Sequence, residues 1–232
     1  MFKEQLLMDA LRFYAGQHVL DRVMQMGRGA LDLQYEHRHM TIMMVEVIIL
    51  PRARDELSTE DFWAPYQARQ RHIVDCIGRY GGVVDSFLGD EILAHWGLEG
   101  PGNHAVLALN CATELLGGAR LGDPADKYVK ISIGLNTGNI PVGNFGTPGR
   151  GKFTVMGDEV NLASRLNQRC AGYCVPILIS EAVLTHAGVV AQAARLVDSV
   201  QIKGREGLTD IFTLANIRGI DRATIPGAPL TD

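Results

Sequence analysis

Apolar and polar positions along this 232-residue chain fall into blocks whose period switches between helix and strand. Residues 1–27 carry Phe2, Leu6, Leu7, Ala10, Leu11, Tyr14, Leu20, Val23 and Met24 in a broad stripe at helical spacing. Gly27, Gly29 and a polar run to Arg38 close that block. Residues 40–50 are almost wholly apolar and rich in β-branched side chains, the pattern of a central strand. Ser58 or Thr59 can cap a helix that runs to Tyr80, with Glu60 and Asp61 in its first turn and Gly81-Gly82 as its stop. Residues 83–87 and 92–96 read as short strands joined by Leu88-Gly89-Asp90-Glu91, a hairpin. A helix over 104–116, a strand over 129–135 and a Gly-rich loop over 137–151 follow. Next come a helix holding Asn161 and Arg165, a strand over 175–179, a short helix capped by Ser180, and strands near 194–202 and 210–214. Past Arg218 the chain is polar and Pro-containing, and a frayed tail is expected.

These blocks predict an α+β domain, a mixed and mainly antiparallel sheet with helices packed against it. The division expected is a helical extension over 1–39, a core domain over 40–217 and a flexible tail over 218–232. The extension either packs on its own domain or serves dimerisation or signal transmission, the latter implying an upstream sensory domain.

Composition narrows the class. Hydrophobic content of 47% and charged content of 21% are ordinary for a globular protein. A net charge of −4 gives no reason to expect nucleic acid as a partner. No stretch approaches the ~20 apolar residues of a membrane-spanning helix, so direct membrane insertion is not expected. Four cysteines without metal-ligand spacing, and no recognisable leader, make a reduced cytoplasmic location the default.

The candidate chemistry lies in three segments. In Phe153-Thr-Val-Met-Gly-Asp-Glu-Val-Asn-Leu-Ala-Ser-Arg165, Asn161 and Arg165 stand four apart on one helical face, where an amide and a guanidinium can grip a sugar oxygen and a phosphate together. Ser86-Phe-Leu-Gly-Asp90-Glu91 places a carboxylate in a tight turn. Glu46 interrupts the apolar strand, and a carboxylate there is costly unless paired or bound to a metal.

Together these segments resemble the class III nucleotidyl cyclases, the adenylate/guanylate cyclase catalytic domain, over roughly residues 40–214. The resemblance implies a ferredoxin-like β-α-β-β-α-β core. It implies closure of the ribose 3′ oxygen onto the α-phosphate of a nucleoside triphosphate, with release of pyrophosphate and help from two Mg2+ or Mn2+ ions per site. By the same resemblance Asp90, Glu46 and the backbone of Val47 are the metal ligands. The family reads Phe-x-Asp-Ile-x-Gly-Phe-Thr where this chain reads Met44-Val-Glu-Val-Ile-Ile-Leu-Pro51. Gly143-Asn-Phe-Gly146 followed by Arg150 resembles the family's phosphate loop, and Lys203 matches its phosphate-binding lysine. Asn161 and Arg165 match the pair that orients the ribose and stabilises the transition state. Ser86 and Thr154 take the base-recognition positions; adenine-reading members carry lysine where Ser86 stands, and ATP, GTP and a pyrimidine triphosphate all stay open. The family's sites lie between two chains, so a homodimer is implied. The alternative is a degenerate domain that binds nucleotide or a partner for regulation without turnover.

Overall fold

The computed structural model describes residues 2–98, 102–117, 127–188, 194–201 and 207–214. The apolar stripe at the N-terminus forms two helices, α1 (Phe2–Ala15) and α2 (Gln17–Met26), separated at Gly16. Leu20 is buried, and α2 rests on the domain through Arg22, whose guanidinium lies 4.7 Å from the centroid of the Phe153 ring. α1 leaves Leu6, Leu7, Phe13 and Tyr14 exposed.

The core is built on an eight-stranded sheet. Its strands are β1 (Tyr35–Ile49), β2 (Val83–Leu88), β3 (Glu91–Trp96), β4 (Val129–Thr147), β5 (Arg150–Val155), β6 (Ile177–Ser180), β7 (Ala194–Gln201) and β8 (Leu208–Leu214). The order is β2-β3-β1-β4-β6-β8-β7, with β5 paired to β4 alone. All pairings are antiparallel except β4 with β6, which confirms the mixed, mainly antiparallel expectation.

Alternation along β1 assigns its two faces. Met43, Val45 and Val47 join Ile73, Ile77, Ala108 and Ala112 in the larger core, beneath α4 (Thr59–Arg79) and α5 (His104–Gly117). Met40, Ile42 and Met44 face the other way, against Val155 of β5 and Ala163 of α6 (Asp158–Tyr173). Ser58 caps α4 as expected, accepting the Asp61 N–H at 3.1 Å. Two short helices complete the set, α3 (Pro51–Glu56) and α7 (Glu181–Ala187).

The segment expected to be a Gly-rich loop is instead the far half of β4 and its hairpin with β5. Gly143 in it serves strand packing. A Cβ on Gly143 would lie 2.2 Å from the Gln34 carbonyl oxygen and 2.5 Å from the Tyr35 Cα, so glycine is there to let β1 and β4 approach. The turn that does match its sequence is Gly89-Asp90. Gly89 has φ +71° and Asp90 does not have positive φ, the glycine-first pattern of a two-residue type II′ hairpin.

Candidate active site

The acidic group is set by two strand ends. β1 and β3 pair so that Glu46 stands directly opposite Glu91, and the Val47 N–H donates to the Asp90 carbonyl at 2.9 Å. Glu46, Val47 and Asp90, far apart in sequence, therefore meet at one end of the sheet. Glu46 lies on the α6 face, half-buried, and accepts a hydrogen bond from Ser132 Oγ at 3.1 Å. The same hydroxyl is held by Asn167 Nδ2 at 3.2 Å, which ties the carboxylate to α6. Burial, followed by the negative charge of Asp90, raises the Glu46 pKa against the lowering effect of Ser132. Glu91 is raised as well, by burial and then by Glu46 and Asp90.

Glu91 is the residue that sequence reading missed. The signal was available: a two-residue turn at Gly89-Asp90 places the position after the turn on the same ladder as the β1 carboxylate. Mutual repulsion and desolvation are what a cation would relieve, so the donor chemistry fits a hard divalent ion. Among the described residues no three His, Cys, Asp or Glu side chains are arranged to hold one unaided.

A second cluster joins β2 to β5, strands that are not neighbours in the sheet. β5 folds back over the Met40/Ile42 face, carrying Phe153 and Val155 into that core. Thr154 Oγ1 donates to Asp85 Oδ1 at 2.8 Å, and Lys152 Nζ donates to the same oxygen at 2.9 Å. Ser86 Oγ also donates to Asp85 Oδ1, and Lys152 donates to Ser86 Oγ. The structure thus brings the two expected base-recognition residues, Ser86 and Thr154, onto one carboxylate. The Asp85 side chain is 0% exposed, yet its pKa is lowered; burial pushes it up, and the Ser86, Lys152 and Thr154 donors outweigh that push.

Arg150 opens β5 and is exposed beside a cavity of about 440 Å³ lined by Leu31, Leu33, Asn144 and Thr147. Asn161 is exposed and Arg165 half-buried on α6, which starts after Gly157 (φ 108°). The helix is anchored beneath them by Leu162, Ala163 and Leu166, all fully buried. Lys203 lies outside the described residues.

The sequence profile of the adenylate and guanylate cyclase catalytic domain matches residues 86–215, more than half of the chain. A terminal-differentiation-specific adenylate cyclase of Dictyostelium discoideum is 33% identical over 142 residues, which is 57% of this chain and 6% of that protein. An adenylate cyclase of Anabaena cylindrica is 28% identical over 188 residues, 75% of this chain and 36% of the relative. The chain therefore spans only a part of these relatives. Among solved structures, the guanylyl cyclase Cya2 superposes with a TM-score of 0.64 at 28% identity, over 79% of this chain and 94% of that one. The adenylyl cyclase CyaB from P. aeruginosa gives a TM-score of 0.65 at 24% identity, over 80% and 98%. By the profile match and the shared fold, the chain belongs to the adenylate and guanylate cyclase catalytic domain family.

Proposed function

We propose that the chain is a nucleotidyl cyclase that converts a nucleoside triphosphate to its 3′,5′-cyclic nucleotide and pyrophosphate, working as a homodimer with sites at the interface. The observation that carries this reading is the meeting of Glu46, Val47 and Asp90 at one sheet end, with Glu91 beside them and unfavourable charge there that a divalent cation would offset. Glu46, the Val47 backbone and Asp90 would hold two Mg2+ or Mn2+ ions. Bound there, the cations supply Lewis acidity toward the triphosphate and the ribose hydroxyl.

The chain's own groups do the rest. Asn161 holds the ribose, and Arg165 meets the charge that builds on the α-phosphate as the 3′ oxygen attacks. Arg150 and Lys203 bind the outgoing phosphates. Ser86 and Thr154 face the base. Acidic and basic sets come from opposite subunits, which fits the apolar side chains left exposed at the hairpin tip, Phe87 and Leu88. A cytoplasmic location and a sensory partner on the N-terminal helices belong to the same reading.

The purified chain, incubated with ATP, GTP, CTP and UTP plus Mn2+, is expected to yield a 3′,5′-cyclic product from at least one of them. Arg165→Ala is expected to lower kcat by about 10²-fold or more while KM moves by less than ~3-fold. Absence of cyclic product from all four, at dimer-supporting concentrations, rejects turnover. The second reading, a nucleotide-binding regulatory module, draws on two features: one Glu46 oxygen is already engaged by Ser132, and Pro51 starts α3 where the family has its Gly-Phe-Thr loop.

A further inference from the structure

Lys152 has no role in the cyclase pattern, yet it occupies the space between the two base-recognition positions. Its side chain is half exposed, while the side chain of the carboxylate that holds it is fully covered. Asp85 Oδ1 collects a proton from Ser86, one from Thr154 and one from Lys152. That arrangement fixes the sense of every group around it. Both hydroxyls spend their single proton on Asp85, so toward a ligand they present lone pairs only. The ammonium has three N–H donors; one goes to Asp85, one to Ser86, and one is left to point outward.

We propose that Lys152, held by Asp85, reads the base of the substrate, and that the base is adenine. The inference rests on the cyclase reading and sharpens it. An ammonium can donate once, and a hydroxyl oxygen beside it can accept once. The adenine edge offers one ring-nitrogen acceptor next to one amine donor and nothing else. Guanine, cytosine and uracil each present three polar groups on that edge and would leave one buried without a partner, at a cost that sites built on hydrogen bonds turn into selectivity. A lysine supplied from β5 thus stands in for the one missing at Ser86. Asp85 is a positioning residue; it touches the lysine and the hydroxyls rather than the base.

The test compares kcat/KM for ATP, GTP, CTP and UTP in the unaltered full chain and in three variants. The unaltered chain is expected to prefer ATP by about tenfold or more. Lys152→Met should bring ATP and GTP to within ~3-fold of one another, mainly through KM for ATP. Moving the ammonium back, in the double variant Ser86→Lys/Lys152→Ser, should restore the ATP preference. Lys152→Met could fail to fold, because it leaves a covered carboxylate unpaired. The pair Lys152→Gln/Asp85→Asn keeps a neutral hydrogen bond there and should lose ATP preference with its melting temperature retained. Preference for another nucleotide in the unaltered chain, or an ATP:GTP ratio that Lys152→Met and the neutral pair both leave unchanged, overturns the proposal. If no triphosphate is cyclised, the cyclase reading falls. The same ratios are then measured as equilibrium affinities for fluorescent ATP and GTP analogues, where equal binding of the two by the unaltered chain overturns the adenine assignment.

Discussion

Glu46 and Glu91 face each other across the β1–β3 ladder, two carboxylates in direct cross-strand register with Asp90 in the adjoining turn. Like charges so placed destabilise a sheet, and burial adds to the cost. The cation proposed for this site would offset that cost.

Glu46→Gln should therefore stabilise the metal-free protein. The Glu46 pKa is raised in the fold, so its ionised form carries a penalty that is absent below the ordinary carboxylate range and complete above the folded value. The amide keeps the Ser132 contact and removes the charge. We expect a gain of at most about 1 kcal/mol at pH 8, the scale of a like-charge cross-strand pair, that disappears as the pH falls below the ordinary carboxylate range, together with loss of Mn2+-dependent cyclisation. Urea unfolding at the two pH values, with and without Mn2+, checks it; lower stability of the variant at pH 8 would contradict the account.

Mixing two inactive variants tests the assembly. In the proposed homodimer, Asp90→Ala and Arg165→Ala would each spoil one half of a shared site. Equal amounts, unfolded together and refolded, should recover about a quarter of the unaltered activity, since half the dimers are mixed and each mixed dimer keeps one intact site. Recovery of none, with dimers present by light scattering, would place both residues in a site made by one chain.

His95 predicts acid sensitivity. It is buried, both ring nitrogens lack partners, and burial pushes its pKa down to about 4. The unfolded chain takes up the proton near pH 6.5 and the folded one only near pH 4. Stability should accordingly fall as pH drops through that window, by about 3 kcal/mol at most. His95→Phe should flatten the slope of unfolding midpoint against pH between 7 and 4.5. An unchanged slope would point to other groups.

Gly134→Ala tests how tightly α6 is seated. A Cβ at Gly134 would stand 2.0 Å from the Ala163 carbonyl oxygen and 2.5 Å from the Asn167 nitrogen, both backbone atoms that cannot swing away. The helix carrying Asn161 and Arg165 would have to lift. We expect about 3 kcal/mol of destabilisation and a matching fall in soluble yield, read by thermal melting.

The elements with local signals were legible. Ser58 and Asp61 announced the start of α4, and Gly89-Asp90 announced the hairpin, because capping and turn geometry depend on residues only a few positions apart. β4 was not legible past residue 135. Its glycines lower strand propensity, and their reason for being there, the close approach of Gln34 and Tyr35 to Gly143 and of α6 to Gly134, is tertiary. Asn161, Arg165, Glu46 and Asp90 were nominated by motif. Lys152 was not, since its partner Asp85 is 67 residues away on a strand reached only when β5 folds over the sheet face. Glu91 needed the strand register, and α3, which the sequence reading did not include, starts at Pro51.

The β1 and β4 strands share an unbroken ladder from Tyr35–Gly143 to Ile49–Val129, whereas β5 hangs from β4 alone. Opening the first requires the whole domain to come apart; opening the second breaks one short ribbon, the packing of Phe153 and Val155, and the bonds of Lys152 and Thr154 to Asp85. Amide protons near Glu46 should thus outlast those of residues 150–155 in deuterated solvent by orders of magnitude. If Lys152 reads the base as proposed, nucleotide choice could be retuned by changes in β5 without touching the β1–β4 ladder.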